Sequence, residues 1–285
     1  MTILIVGASG FIGRHLCENL GKTHRVIGVV KQNTDLLGCE QIIKCDLLNK
    51  ERTVEILQKE VHCRIDILIN LASKLVGVET AEDIQVLLDN IKMTESIVEI
   101  SKKLAIQKLI NFSSIAVYPN TDGTFSEESP VWMASNSECL YGLSKFCSEN
   151  ILDYLLKNRG TSIIHLRLAQ VHGDGMREDR IMSMMRNELV EKNQITVFGN
   201  GERISNFISI EKVCRIIEAL LNSTAQGVYN LGDENLSYEE LAKRIIKKSG
   251  INGKIVLEDK GSKAKFFLDS SKLGQLIKSH TTVIK

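Results

Sequence analysis

The feature that most constrains this chain lies at its start. A short apolar run, Ile3-Leu4-Ile5-Val6, ends on Gly7-Ala8-Ser9-Gly10-Phe11-Ile12-Gly13, and Gly13–Leu20 then reads as a helix. A strand that turns into a helix through Gly-x-x-Gly-x-x-Gly lets the backbone double back tightly. It also leaves the first helical N–H groups open beside a partial positive charge, a ready cradle for a phosphate. The spacing is neither Gly-x-Gly-x-x-Gly nor a Walker A loop, because no Gly-Lys-Ser/Thr follows. By itself the pattern also fits a plain strand-to-helix turn. Its place at the end of the first strand points to a dinucleotide.

The rest of the first half keeps the alternation. Arg25–Val30 and Ile42–Cys45 read as strands, Glu51–Glu60 as a helix, and Ile65–Asn70 as a buried strand. A long helix over Ile84–Leu104 carries an apolar stripe, followed by a strand at Lys108–Phe112, a helix at Cys139–Lys157 and a strand at Ser162–Leu168. Continuous apolar strands between helices predict a parallel sheet covered on both faces. After Gly173 the pattern predicts a Met-rich helix over Arg180–Lys192, a turn at Phe198–Gly201, a strand at Val228–Leu231 and a helix at Tyr238–Ser249. Ser237 and Glu240 form a capping box for that last helix. The two prolines, Pro119 and Pro130, fall in one region, where the polar stretch Thr121–Ser137 reads as a surface loop near a site. The tail from about Gly274 is weakly patterned. The division expected is residues 1–172 as a nucleotide-binding unit and 173–285 as a smaller lobe, with about 204–232 returning to the first unit.

Composition removes several classes. Lys and Arg number 36 against 35 Asp and Glu, a net charge of +1, which argues against a nucleic-acid partner. No apolar run is long enough for a membrane span, and no signal-peptide pattern opens the chain. The 7 cysteines contain no Cys-x-x-Cys pair, which points to reduced thiols in a cytoplasmic protein without a metal site.

The end of the second strand bears on cofactor choice. An acid there receives the ribose hydroxyls of NAD, but this chain runs Gly28-Val29-Val30-Lys31-Gln32-Asn33. Lys31 suits the 2′-phosphate of NADP, or it is a solvated surface lysine. Asp46, in Cys45-Asp46-Leu47, either accepts from an adenine amino group or caps the next helix.

Tyr141-Gly142-Leu143-Ser144-Lys145 puts a tyrosine and a lysine on one helix face. An ammonium stabilises a phenolate and makes tyrosine a usable acid–base group. Phe112-Ser113-Ser114 ends the preceding strand, where ligands lie in open parallel sheets, so Ser114 can hydrogen-bond a substrate oxygen beside Tyr141.

These marks in this order resemble the extended short-chain dehydrogenase/reductase superfamily, in its NAD-dependent epimerase/dehydratase branch of nucleotide-sugar enzymes. Further marks are Asn70-Leu71-Ala72-Ser73, Asn90, Ser113–Tyr118, Arg167–Gly173, Phe198–Gly201 and Tyr229-Asn230-Leu231-Gly232. The resemblance implies an α/β fold, a Rossmann-type doubly wound parallel sheet with a smaller C-terminal substrate-binding lobe. It implies that Ser114 orients the sugar oxygen, Tyr141 is the acid–base, and Lys145 holds the nicotinamide ribose and tunes Tyr141. Gly7, Gly10, Phe11, Ile12, Gly13, Lys31, Asp46, Leu47, Leu71, Ala72 and Ser73 would hold the cofactor with Tyr141 and Lys145. Arg177, Arg180 and Arg203 are candidate cations for a substrate diphosphate, and a homodimer through the Ile84–Leu104 and Cys139–Lys157 helices is implied.

Departures narrow the reaction. Dehydratases of this branch carry an Asp-Glu pair directly after the Ser/Thr, where this chain has Ile115 and Ala116. Epimerase-reductases of the fucose-synthase kind use a cysteine near the serine motif, and none lies between Cys63 and Cys139. Ser205-Asn206-Phe207 replaces the usual arginine and acid, so Arg203 is the candidate substitute. The expectation is an NADPH-dependent reductase of a nucleotide-linked 4-keto-6-deoxy sugar. The alternatives are an NAD-dependent nucleotide-sugar 4-epimerase and a nonenzymatic NADP-sensing protein.

Overall fold

The computed structural model describes residues 1–77 and 80–282. Seven parallel strands form the central sheet in the order β11-β7-β5-β4-β1-β2-β3. They are β1 (Thr2–Val6), β2 (Arg25–Val30), β3 (Gln41–Lys44), β4 (Ile67–Asn70), β5 (Lys108–Ser114), β7 (Ser162–Leu168) and β11 (Gly227–Leu231). Their apolar runs are buried on both faces, which is why they do not alternate polar and apolar residues. Helices α1 (Phe11–Leu20), α6 (Ile210–Leu221) and α8 (Ser271–Thr282) lie together, as do α2 (Lys50–Glu60), α3 (Ile84–Lys103) and α4 (Cys139–Leu156). Two apolar cores follow: Ile3, Ile5 and Leu16 belong to one, and Leu4, Val6 and Ile97 to the other. Successive β1 residues thus go to opposite faces of the sheet, as the pleat requires.

The strand order reverses beside β1. The chain winds outward to β2 and β3, then returns to the other side of β1 as β4. In open parallel sheets such a switch point leaves a crevice at the strands' carboxyl ends.

A second layer is built from short pieces. β8 (Gln170–His172), β10 (Ile204–Ser209) and β12 (Glu234–Ser237) form one small sheet. β9 (Gln194–Phe198) pairs with β13 (Lys254–Glu258), and β6 (Gly123–Phe125) with β14 (Phe266–Leu268). Helices α5 (Ile181–Lys192) and α7 (Tyr238–Ser249) pack beside them. Met182 and Met185 of α5 are buried in this layer's core, so the Met-rich stretch is packing rather than an open surface. The capping box holds as read: Glu240 N–H donates to Ser237 Oγ (3.1 Å), and Ser237 N–H donates to Glu240 Oε2 (2.9 Å).

Three local readings change. The first helix starts at Phe11 rather than Gly13, because Gly10 serves as N-cap. The stretch Thr121–Ser137 contains β6, which is paired by a segment more than a hundred residues away. The weakly patterned tail is helical as α8 from Ser271, anchored by buried Leu273. The loop from β6 to α4 carries the chain's single tryptophan, Trp132, 68% exposed.

Candidate active site

The glycine turn is built as the spacing requires. The N–H groups of Gly7 and Ala8 both donate to Val29 O (3.1 Å each), tying the turn to β2. Gly7 has φ +83°, and a Cβ there would stand 2.8 Å from Ala72 N, so only glycine lets the turn pass this close to the end of β4. A Cβ on Gly13 would meet Gly7 O at 2.5 Å. Gly10 caps α1 with no side chain, so the first-turn amides stay open to an anion. This bare cradle opens into a cleft of about 510 Å³, and the two together fit a dinucleotide.

The cleft gathers most of the residues expected from the sequence. Gly7, Gly10, Phe11, Ile12 and Gly13 line one end, with Leu71 and Ser73 from the loop after β4. Ser114, Tyr141 and Lys145 line its middle, and Arg177, Arg180 and Arg203 its far wall. Lys31, Asp46, Leu47 and Ala72 are not among the lining residues. Lys31 Nζ lies 3.0 Å from Asp46 Oδ2 in an exposed ion pair. Arg14 reaches the loop after β2, its Nη2 donating to Thr34 Oγ1 (2.9 Å). Asp46 also takes the Leu48 N–H (3.1 Å), and Leu47 is buried in the core.

The reacting groups meet because a glycine permits it. A Cβ on Gly142 would lie 2.1 Å from Ala116 O, so α4 can press against the turn after Ser114 only at this bare position. Ser114 Oγ accepts the Ala116 N–H (3.1 Å), and its hydroxyl is also hydrogen-bonded to Tyr141. Lys145 Nζ donates to Phe112 O (2.9 Å) and stands 5.6 Å from the Tyr141 ring centroid. Burial and the Glu138 charge push the Tyr141 phenol up to about 12, while Ser73, Arg180 and Ser114 pull it down. Burial brings the Lys145 ammonium down to about 8 against the opposing charge of Glu149.

Asn90 of α3 braces this arrangement. Its Oδ1 accepts Lys74 N–H (2.7 Å) and Ser73 Oγ (3.3 Å), and its Nδ2 donates to Ser144 Oγ (3.0 Å) and Lys74 O (3.0 Å). One amide thus joins the loop after β4 to the catalytic helix. Under the site, Glu149 accepts from Ser113 Oγ (2.5 Å), Arg167 Nε (3.0 Å) and Arg167 Nη2 (2.8 Å). Arg167 continues to Tyr118 Oη (3.0 Å), which donates to Asn230 Oδ1 (2.8 Å). This network was not read from the sequence. Ser113, Tyr118, Arg167 and Asn230 stand within the marks quoted from the sequence, and Glu149 is signalled by its spacing from Tyr141 and Lys145 on one helix face.

The three arginines are differently engaged. Arg177 is paired with Asp179, and Arg180 faces Glu138 at 3.7 Å. Arg203 lies over the Tyr238 ring at 5.1 Å, and its buried Nε has no hydrogen-bond partner among the described residues. Ser205, in place of the usual arginine, accepts instead from Gln170 Nε2 (2.9 Å).

Comparisons with known proteins agree with this geometry. The chain is 25% identical to an uncharacterized UDP-glucose epimerase of Bacillus subtilis, over 97% of this chain and 92% of that protein. It is 27% identical to a GDP-6-deoxy-D-talose 4-dehydrogenase of Aggregatibacter actinomycetemcomitans, over 78% of this chain and 70% of the relative. Among solved structures, the UDP-glucuronic acid 4-epimerase of Bacillus cereus, in complex with UDP-glucuronic acid and NAD, superposes with a TM-score of 0.80 at 27% identity. That match covers 98% of this chain and 93% of the other. The family model described as the NAD dependent epimerase/dehydratase family matches residues 3–232. Glycine turn, seven-stranded sheet, and Ser114 with Tyr141 and Lys145 all fall inside that match, and the chain belongs to the NAD dependent epimerase/dehydratase family.

Proposed function

We propose that the protein moves hydride at C4 of a nucleotide-linked hexose, as an NADPH-dependent reductase of a 4-keto-6-deoxy sugar. The observation that carries this reading is the meeting of Ser114, Tyr141 and Lys145 in one cleft with the glycine turn. When bound, the reduced nicotinamide supplies the hydride. Tyr141 gives its proton to the ketone oxygen as the carbonyl becomes an alcohol. Its phenol stays protonated at neutral pH, the form that a reduction consumes. Ser114, hydrogen-bonded to Tyr141 before substrate arrives, turns its hydroxyl to the same oxygen and so fixes the sugar's orientation. Arg203, half-buried and with an Nε that has no hydrogen-bond partner among the described residues, receives the diphosphate.

The NADP reading rests on Lys31, which stands at the end of β2 where an acid would receive the ribose hydroxyls of NAD. A 2′-phosphate would have to draw it from its ion pair with Asp46, and Arg14 lies against the same loop. Ile115 and Ala116 lack the proton-transfer groups that elimination of water needs. Redox chemistry at C4 of a nucleotide-linked 6-deoxy sugar is in keeping with the GDP-6-deoxy-D-talose 4-dehydrogenase relative. The UDP-glucuronic acid 4-epimerase, with its bound NAD, favours a second reading, NAD-dependent 4-epimerisation by the same three residues. Residues 1–172 would serve as the nucleotide-binding unit and 173–285 as the substrate lobe. Two copies would pair through α3 and α4, where Ile84, Leu88 and Leu155 are exposed.

Calorimetric titration with NADPH and NADH, and turnover of 4-keto sugars by Tyr141→Phe, test the proposal. We expect tighter NADPH binding, and a Phe variant that binds cofactor normally but turns over at least about a hundredfold more slowly. An active Phe variant overturns the chemistry. Tightly held NAD with no net cofactor consumption selects the epimerase.

A further inference from the structure

The sugar end of the cleft carries a carboxylate that no step above uses. Glu138 stands directly ahead of α4, one helical turn before Tyr141, and lines the same cleft. It holds the N-cap position of α4 but makes no side-chain cap, so its carboxylate is not spent on the helix. Its backbone N–H is satisfied by Asn136 Oδ1 (2.9 Å). Its charge reaches the phenol, where it is the largest influence on Tyr141 after burial.

Arg180 faces it from the start of α5. Arg180 Nη1 lies 3.7 Å from Glu138 Oε1, and Arg180 Nε lies 3.9 Å from Asp179 Oδ1. Both separations exceed a hydrogen bond, and Asp179 is itself held by two guanidinium N–H groups of Arg177, so Glu138 is the carboxylate left to balance Arg180. Glu138 and Arg180 side chains are each 38% exposed and bridge the walls of the cleft. The charge of the cleft is therefore graded. Arg203, whose buried Nε has no hydrogen-bond partner among the described residues, marks the diphosphate end, and the Glu138–Arg180 pair stands beside the Tyr141 phenol.

We propose that Glu138 and Arg180 form a specificity clasp over the sugar, admitting neutral hexoses, 6-deoxy ones included, and rejecting hexuronates. This rests on reading the cleft as a nucleotide-sugar site. A sugar hydroxyl donating to a carboxylate makes a short, charge-assisted hydrogen bond. A uronate would set a second carboxylate against Glu138, and like-charge juxtaposition at a binding site costs several kcal/mol. Arg180 does not relieve this, because its single charge is already matched by Glu138 and a uronate would add a second carboxylate to it. The chain would thus share the fold of a UDP-glucuronic acid 4-epimerase while excluding that enzyme's kind of sugar.

The test is calorimetric titration of the NADP⁺-loaded full chain with UDP-glucose and UDP-glucuronate, which differ only at C6. The comparison is made on wild type, Glu138→Gln and Arg180→Gln. Wild type should prefer the glucose form by about 30-fold or more. Glu138→Gln should bring the two within about threefold, mostly by tighter uronate binding, and Arg180→Gln should widen the gap by leaving Glu138 unbalanced. Equal binding of both sugars by wild type, or an unchanged ratio in Glu138→Gln, overturns the clasp and leaves the proposed function standing. Binding of neither sugar, nor of the dTDP- and GDP-glucose counterparts, overturns the nucleotide-sugar reading and the clasp with it.

Discussion

Replacing Glu149 by Gln asks whether the ion pair beneath the active site is held by charge. Glu149 and Arg167 side chains are only 4% and 5% exposed, and Glu149 takes two guanidinium N–H groups and the Ser113 hydroxyl. Glutamine keeps the volume but loses the charge, and its amide NH₂ must face one of those donors. Removing one partner of a buried pair costs about 3–5 kcal/mol, because the other charge stays buried. An unfolding entropy of about 2.1 cal/mol/K per residue gives a chain of 285 residues roughly 600 cal/mol/K, or about 1.7 °C per kcal/mol. The midpoint in scanning calorimetry at pH 7 should therefore fall by about 5–8 °C. The double variant Glu149→Gln/Arg167→Met removes the stranded guanidinium and should recover part of that loss. A single variant within about 1 °C of wild type, or a double variant worse than the sum of the two singles, would refute the reasoning.

Three further outcomes are expected. Lys145 is charged only below about 8, so the reaction rate should fall as pH rises through that value, and Glu149→Gln should move the fall to lower pH. Stability runs the other way: between about 8 and 10.5 the unfolded chain binds the extra proton, so Lys145 favours the folded state increasingly as pH rises through that window, measurable by urea unfolding. Lys108 Nζ donates to Leu220 O (2.5 Å), Leu221 O (3.0 Å) and Ser223 O (2.5 Å), closing the end of α6. Lys108→Met should cost about 2–4 kcal/mol by urea unfolding, and a loss under about 1 would mean those carbonyls find other donors. Gly142→Ala sets a methyl 2.1 Å from Ala116 O, so α4 must back away. We expect a loss of about 1–3 kcal/mol and a sharp drop in kcat with cofactor binding kept, and unchanged kcat would mean Tyr141 tolerates the shift.

What was legible in the sequence follows from period and locality. β1, β2, β4, β5 and β7 announce themselves because strands buried on both faces are unbroken apolar runs. Ser114, Tyr141 and Lys145 were readable because strand end and helix start lie in fixed order along the chain. The small sheets were not: Gln194 pairs with Lys254, and Gly123 with Phe266, and nothing local in such short segments fixes a partner so distant. Glu149 and Arg167 look like surface charges when read singly, and only the fold buries each against the other. Gly142 was passed over because its use is a close approach between two elements, which spacing within one helix does not reveal.

The loop from β6 to α4 has a practical consequence. Asn136, Ser137 and Glu138 at its end line the cleft, and Trp132 a few residues earlier stands in solvent. With one tryptophan in the chain, ultraviolet emission excited at the indole band reports on this rim alone, without a label. Solvated indole emits toward the red, so a loop that settles over its ligand announces itself as a blue shift. With oxidised cofactor bound, which does not absorb the indole emission as the reduced nicotinamide does, stopped-flow fluorescence can then time loop closure, and nicotinamide absorbance can time the chemistry in a separate run.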